Sequence, residues 1–403
     1  MGNVKVFFAK NFERAKTAMR SNMRQYAMLI ALIAIMIIFQ ILTKGILLKP
    51  RNVSKLIYQN SYILILAIGM VLLIISGGNI DLSVGALVAF VSALSALFSV
   101  KMGLPPAIAI VLGLVFGTLA GMWQGFWIAY VKIPSFIVTL AGMLVFRGLN
   151  NLILEGETIA LPDLYVKIAS SVVPDFIGGA DSGLHLTTII IGVLFSIVYT
   201  VVMILSRSKK KRNNFEISPF YLFVLKTASI VAIINLFMYW LSRDDGLPIV
   251  LIILAVLIGI YSFITIKTVA GRHIYALGGN QKAAALSGVK TKRVLFWVYA
   301  NMGLMAAVAG IVFAGRLNAA SPTAGMGFEL DAIAACFIGG ASAAGGVGTV
   351  IGAIIGAFIM GILNNGMSIM GLSIFWQDII KGLVLLTAVA FDVYSKSKAK
   401  KAA

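Results

Sequence analysis

The chain has 403 residues, 60% of them hydrophobic, with a mean hydropathy of +1.00 and only 12% charged side chains. A soluble domain of that length cannot cover its core with so little polar surface, whereas a bilayer solvates apolar faces and helices satisfy their own backbone. The net charge of +19 does not point to nucleic acid: 21 of the 33 Lys and Arg residues fall in four clusters, 5–24, 207–212, 267–293 and 396–401, separated by apolar stretches, as cytoplasmic loops and tails are.

Residues 1–25 form a basic segment with no small-residue cleavage pattern after the first apolar run. Phe8, Phe12, Ala15 and Met19 share one helical face, which suits either a helix on an anionic leaflet or a solvated basic tail. Apolar runs long enough to cross a bilayer follow at about 26–46, 61–76, 82–100, 105–130 and 134–153. The interval 154–186 carries Glu155, Glu157, Asp163, Asp175 and Asp181 against a single Lys167, so it is expected outside. Further runs lie at about 187–206, 219–241 and 247–266. Segment 267–292 then holds five Lys or Arg residues, one His and no acid, and is expected inside. The last runs are 293–314, 329–345, 348–366 and 374–392. Twelve crossings place both termini in the cytoplasm, although 329–345 is short enough to re-enter without crossing. Lys44, Lys49, Arg51 and Lys55, on a loop expected outside, run against the charge rule. The fold class is all-α, a polytopic bundle of about 10–12 spans. Its permease domain covers 26–395, with a cytoplasmic loop at 267–292 and a basic cytoplasmic tail at 396–403.

Glycine recurs every fourth residue at Gly113, Gly117, Gly121 and Gly125, and again at Gly348, Gly352 and Gly356. Small residues at that spacing let helices approach closely in lipid. Both stripes precede similar sequences, Gln124-Gly125 then Ile133-Pro-Ser-Phe136, and Asn365-Gly366 then Leu372-Ser-Ile-Phe375. The two striped spans run in opposite directions, which suggests an inverted repeat.

No Gly-Lys dipeptide occurs, so there is no Walker A loop; H-E-x-x-H, C-x-x-C and G-x-S-x-G are absent too. The single Cys336 reads as a small buried apolar residue, and His185 and His273 fall on opposite sides of the membrane. No metal, cofactor or catalytic centre is expected. Polar residues within the apolar pattern are the candidates for a substrate pathway, because they are costly in lipid and tend to face a cavity. They are Asn79, Asp81, Gln124, Glu329, Asp331, Asn364 and Asn365. Asp81 and Ser83 equally suit a helix cap, the amides suit a bond between helices as well as a sugar hydroxyl, and Arg147 and Lys381 suit snorkelling or pairing with an acid. Asp81, Glu329, Asp331, Asp378 and Asp392 lie at the edges of runs, which weighs against an ion-coupled carrier.

Four stretches carry a family likeness: Gly77-Gly-Asn-Ile-Asp-Leu-Ser-Val-Gly85; Ile133-Pro-Ser-Phe-Ile-Val-Thr-Leu140 with Arg147-Gly148; Tyr275-Ala-Leu-Gly-Gly-Asn280 through Leu286-Ser-Gly288; and Ser321-Pro-Thr-Ala-Gly325 with Glu329-Leu-Asp-Ala-Ile-Ala334 and Gly339-Gly340. Together they resemble the permease subunits of bacterial ribose and xylose ATP-binding-cassette importers, within the wider group that includes branched-chain amino acid permeases. The resemblance covers about 50–392. It implies the bacterial cell (inner) membrane, a separate ABC ATPase subunit, an extracytoplasmic sugar-binding protein and a second permease copy. It also implies a coupling segment that docks into the ATPase, here Gly279, Asn280, Ala283, Ala284 and Gly288. Lys282 stands where many relatives have glutamate, and the extra length around 207–266 resembles the xylose or multiple-sugar branch. The alternatives are a like-built importer of an amino acid or nucleoside, and an ion-coupled symporter.

Overall fold

The computed structural model describes residues 23–176, 183–215 and 219–401, with side chains omitted at 23–27, 391 and 395–401. The face formed by Phe8, Phe12, Ala15 and Met19 lies outside the described residues, as does Asp181. The helices in chain order are α1 (Met23–Leu42), α2 (Pro50–Ile75), α3 (Val84–Ala96), α4 (Pro106–Phe126), α5 (Ser135–Leu154), α6 (Asp163–Ser170), α7 (Leu186–Arg212), α8 (Phe220–Ser242), α9 (Ile249–Lys267), α10 (Val269–Gly279), α11 (Gln281–Leu286), α12 (Thr291–Leu317), α13 (Phe328–Ile338), α14 (Val350–Ile369) and α15 (Ile374–Lys401). One π-helical turn prolongs α3 over Leu97–Lys101 and another prolongs α4 over Trp127–Val131. Among the described residues, ten helices are long and apolar enough to cross a membrane, and α1 is a further apolar helix.

The helix α2 is the axis of the bundle. It starts well before the expected 61–76 run, with Pro50 in its first turn, where a missing N–H costs nothing. Its residues 60–76 are buried without interruption. Such a helix needs no amphipathic face, since protein surrounds it on all sides. It lies antiparallel to α12: Arg316 Nη1 donates to the Gln59 carbonyl at 3.2 Å, and Gly69 faces Met302 and Met305. Around this pair stand α3, α4, α13 and α14, and the apolar surfaces of α7, α8 and α15 face outward.

Both glycine stripes are packing faces. A Cβ at Gly121 would stand 2.4 Å from the Tyr299 carbonyl, and one at Gly303 would stand 2.3 Å from the Gly117 carbonyl, so α4 and α12 touch backbone to backbone. The second stripe does the same against α13, where a Cβ at Gly356 would lie 1.9 Å from the Ala335 carbonyl. The element order repeats as the stripes suggest. A long helix, a non-helical break, a short helix, a glycine-striped helix and a further helix occur as α2 to α5 and again as α12 to α15.

At one end, called here the acidic end, strand β1 (Ile159–Ala160) pairs antiparallel with β2 (Ala319–Ala320), a two-residue ladder that leaves the class all-α. Next to it, Tyr165 of α6 is fully buried on α12, and segment 171–176 is tied to 247–249 by backbone bonds and to α7 by an Asp175–His185 contact of 2.5 Å. The Lys101 ammonium, 2.8 Å from Glu155, holds that exposed carboxyl below its ordinary range. At the opposite, basic end lie 267–292 and the last turn of α7.

The run 329–345 is not a spanning helix. The helix α13 has 11 residues, about 17 Å, too short for a core of about 30 Å. The chain still passes between the ends, since β2 sits at the acidic end while Gly346 N donates to the carbonyl of Ile75 at the basic end. Non-helical turns on either side of α13, at 321–327 and 339–349, make up the missing length.

Candidate functional site

Both repeats place a non-helical stretch of glycines and polar residues between a full-length helix and a short one, α2 before α3 and α12 before α13. After α2, Gly77 and Gly78 take φ of +138° and +72°, conformations that glycine adopts without a Cβ penalty. The chain then runs through Asn79 and Asp81 to α3. Asp81 is buried; its Oδ1 accepts the Ser83 backbone N–H at 2.8 Å and the Ser83 hydroxyl at 2.7 Å. Ser83 stands at the N-cap position without a side-chain bond into its helix. Its oxygen instead accepts Gln124 Nε2 at 2.6 Å, so Ser83, one of the two residues that suit a cap, forms a clasp joining the break to α4. Gln124 Oε1 is buried with no hydrogen-bond partner.

The second break, 321–327, enters the bundle from the acidic end. Arg147 of α5 donates from Nη1 to the carbonyls of Pro322 at 3.3 Å and Ala324 at 2.5 Å, and Asn150 donates to Pro322 at 3.1 Å. The two breaks meet at Gly85 and Gly325. A Cβ at Gly85 would stand 2.1 Å from the Gly325 carbonyl oxygen, and one at Gly325 would stand 1.9 Å from that of Gly85. Glu329 Oε2 lies beside the same spot, 2.4 Å from that Gly85 position, within electrostatic reach of Arg147.

The seven polar candidates therefore belong to separate groups rather than one site. Asp81 and Gln124 share the Ser83 clasp. Asp331 gathers Tyr62 Oη at 3.2 Å, Asn364 Nδ2 at 3.4 Å and Lys381 Nζ at 3.3 Å, which ties α2, α14 and α15 to α13. Asn365 exchanges amide bonds with Asn52, at 2.8 and 3.3 Å, and donates to Gln59. Asn79 and Glu329, with Arg147, are the half-exposed members at the breaks. Sequence reading placed Lys381 and Arg147 as snorkelling or acid-paired; both turn inward onto named partners. Asn52, Gln59 and Tyr62 were missed, and their polar spacing along one face of α2 was the available signal.

At the basic end, Thr268 Oγ1 accepts the Gly271 N–H to cap α10, and Asn280 Oδ1 accepts the Ala283 N–H at 3.0 Å to cap α11. Gly288 has φ of +85° and closes α11, its N–H bonded to the Ala285 carbonyl while Val289 N–H reaches Ala284. Ala284 faces the bundle, whereas Ala283 and Leu286 face away, Leu286 at 91% exposure. Sequence placed Leu286 in a motif but did not assign it a contact role. The helix α10 is wedged by Gly278, where a Cβ would fall 1.7 Å from the Ile75 carbonyl oxygen and 2.6 Å from Gly346 N. Tyr275 Oη donates to the Gly348 carbonyl at 2.7 Å, and a Cβ at Gly345 would lie 2.6 Å from Gly77 Cα. A displacement of α10 and α11 thus bears directly on the first break and on the loop leading into α14.

A broken-helix bundle with a short helical segment standing clear of its basic end is the setting in which comparison with known proteins becomes informative. The family model described as branched-chain amino acid transport system / permease component matches residues 52–163 and 176–389. The chain belongs to that permease family. Within it, the permease is 43% identical over 379 residues to the xylose transport system permease protein XylH of Escherichia coli (strain K12), covering 94% of this chain and 93% of that one. It is 40% identical over 378 residues to the XylH of Haemophilus influenzae, covering 94% and 98%. It is 35% identical over 373 residues to the ribose import permease protein RbsC of Bacillus subtilis, covering 92% and 93%. No solved structure matches the permease.

Proposed function

We propose that this multi-pass protein is the membrane permease of an ATP-driven importer of a monosaccharide, a pentose of the xylose type. The observation that carries the reading is 43% identity to a xylose permease over almost the whole of both chains. It has no nucleotide motif of its own, so ATP hydrolysis belongs to a separate ABC ATPase subunit that docks on α11, with Ala283 and Leu286 as the contacting face and Gly279, Asn280, Ala284 and Gly288 as its frame. Two permease copies enclose the pathway, and an extracytoplasmic sugar-binding protein delivers sugar at the acidic end. When ATP draws the ATPases together, the motion enters through α10 and reaches the first break and the loop before α14 through the Gly278 wedge, and the second break through the Gly85–Gly325 contact, shifting the population between inward and outward openings. Asn79 and Glu329, with Arg147, are the polar groups best exposed to a passing sugar, while Asp81, Gln124, Asp331, Asn364 and Asn365 hold the breaks in place from behind.

In proteoliposomes holding the permease with its ATPase and binding protein, xylose uptake should require ATP inside and should fall at least tenfold in Leu286→Glu, with ATPase co-purification lost. An exposed position tolerates that change without unfolding. Uptake by the permease alone on a proton or sodium gradient would replace the importer reading by a symporter.

The basic end, both termini included, faces the cytoplasm of a bacterial cell on this reading. In a Cys336→Ala background, the variant Ser287→Cys should resist a membrane-impermeant thiol reagent in intact cells and react after permeabilisation. Rapid labelling of intact cells would invert the topology.

A further inference from the structure

A cleft of about 520 Å³ opens at the basic end between α9, α10 and α12, and none of the networks above uses it. Its lining changes character with depth. Along α12 the lining runs from Lys290 and Arg293 at the exposed start of the helix, through Trp297 one turn on, to Asn301, which bonds Tyr261 of α9; His273 of α10 also lines the cleft. Leu72, Ile264, Ile274, Val294 and Val298 form the walls. The stretch from Arg293 to Asn301 spans eight residues of one helix, so the gradient from cationic to apolar runs over about 12 Å. Lys290 and Arg293 are exposed, and segment 267–292 brings no acid near them. Trp297 is 54% exposed and is the last such residue before α12 enters the buried core at Val298. At the bottom, the Tyr261 hydroxyl donates to Asn301 Oδ1, and the Asn301 amide nitrogen has no partner.

Cations at the rim, an indole at the interface level and an apolar throat repeat the order of a phospholipid from headgroup to acyl chain. A sugar does not match this lining, because the throat offers a hydroxylated ligand few partners. A soluble phosphate does not need the throat. We infer that the cleft binds one anionic phospholipid of the adjacent leaflet, its phosphate held by Lys290 and Arg293 and an acyl chain laid along Trp297 and Val298. Gly288 also borders the cleft, so a bound lipid braces the connection between α11 and α12. The coupling segment is then held against the bundle by a membrane component rather than by protein contacts alone. The inference rests on the orientation given above only for which leaflet supplies the lipid; binding itself is measured independently of transport.

The test uses the full chain in detergent, delipidated and then titrated with phosphatidylglycerol or phosphatidylcholine, with bound lipid counted by native mass spectrometry. One tightly held phosphatidylglycerol is expected, weakened about tenfold or more in Lys290→Gln/Arg293→Gln, while phosphatidylcholine binds weakly to both proteins. The triple variant Lys209→Gln/Lys210→Gln/Lys211→Gln, equally basic but remote from the cleft, should retain that lipid. A second measurement needs no charge variant: phosphatidylglycerol with brominated acyl chains should quench tryptophan fluorescence in the native chain and far less in Trp297→Phe. Equal retention of both lipids, unchanged binding in the double variant, quenching independent of Trp297, or displacement by inorganic phosphate at millimolar concentration would each overturn the assignment.

Discussion

Gly278→Ala should abolish energised uptake while its neighbour Gly279→Ala leaves it intact. The two glycines are adjacent on α10 and look alike in sequence, yet the fold treats them oppositely. A methyl group at Gly278 would sit 1.7 Å from the carbonyl oxygen of Ile75, which itself accepts the Gly346 N–H at 2.8 Å. Both obstacles are backbone, so no flexible side chain can swing aside. At Gly279 nothing lies within 4 Å and φ is not positive, so alanine fits. Overpacking a tight contact costs about 1–3 kcal/mol, too little to unfold a membrane bundle but enough to lift α10 off the end of α2. The expected result is near-normal membrane abundance, uptake reduced at least tenfold in Gly278→Ala, and ATP hydrolysis no longer stimulated by the loaded binding protein. If Gly278→Ala imports sugar like the native chain, the junction between α10, Ile75 and the loop before α14 does not carry the coupling motion.

That pair of glycines also marks the limit of what sequence reveals. Span existence was legible because a bilayer demands about 20 apolar residues per crossing and the basic clusters fix direction. The start of α2 was not, because Asn52, Ser54, Lys55 and Gln59 read as loop; they are helical because Asn365 and Arg316, some 300 and 250 residues away, supply partners inside the bundle. Helix α13 was overextended for the converse reason: Gly339-Gly340 and the apolar residues after it keep the hydropathy high where the backbone has already left the helix. The candidate polar residues were found as a set, since any polar group in such a chain stands out. Their division into clasps and exposed groups was invisible, because it depends on which helix faces which. Leu286 appeared only as part of a motif and not as a contact, being one more leucine in a chain rich in apolar residues.

The division has a test at Asp331, whose removal should be the most destabilising single change outside the coupling segment. Its side chain is 2% exposed and meets Lys381 Nζ at 3.3 Å, Tyr62 Oη at 3.2 Å and Asn364 Nδ2 at 3.4 Å. Lys381 lies on a helix that presents much apolar surface outward, so this ion pair is a polar anchor of α15, beside the Ala343 N–H donated to Asp392 Oδ2 at 3.3 Å. Breaking one side of a buried pair leaves the other charge uncompensated, at a cost of about 3–5 kcal/mol. Lys381→Met and Asp331→Ala should therefore each lower the thermal midpoint in detergent sharply and reduce the amount of folded protein. The double variant Asp331→Asn/Lys381→Met removes both charges while the asparagine keeps an acceptor for Tyr62. Replacing a whole buried pair by neutral groups of similar size is often close to neutral, so its midpoint should return to within a few degrees of the native value. Uptake should return with it, because a clasp needs only to hold the helices together. A double variant that is as stable as the native chain and yet imports no sugar would move Asp331 from the scaffold to the substrate pathway.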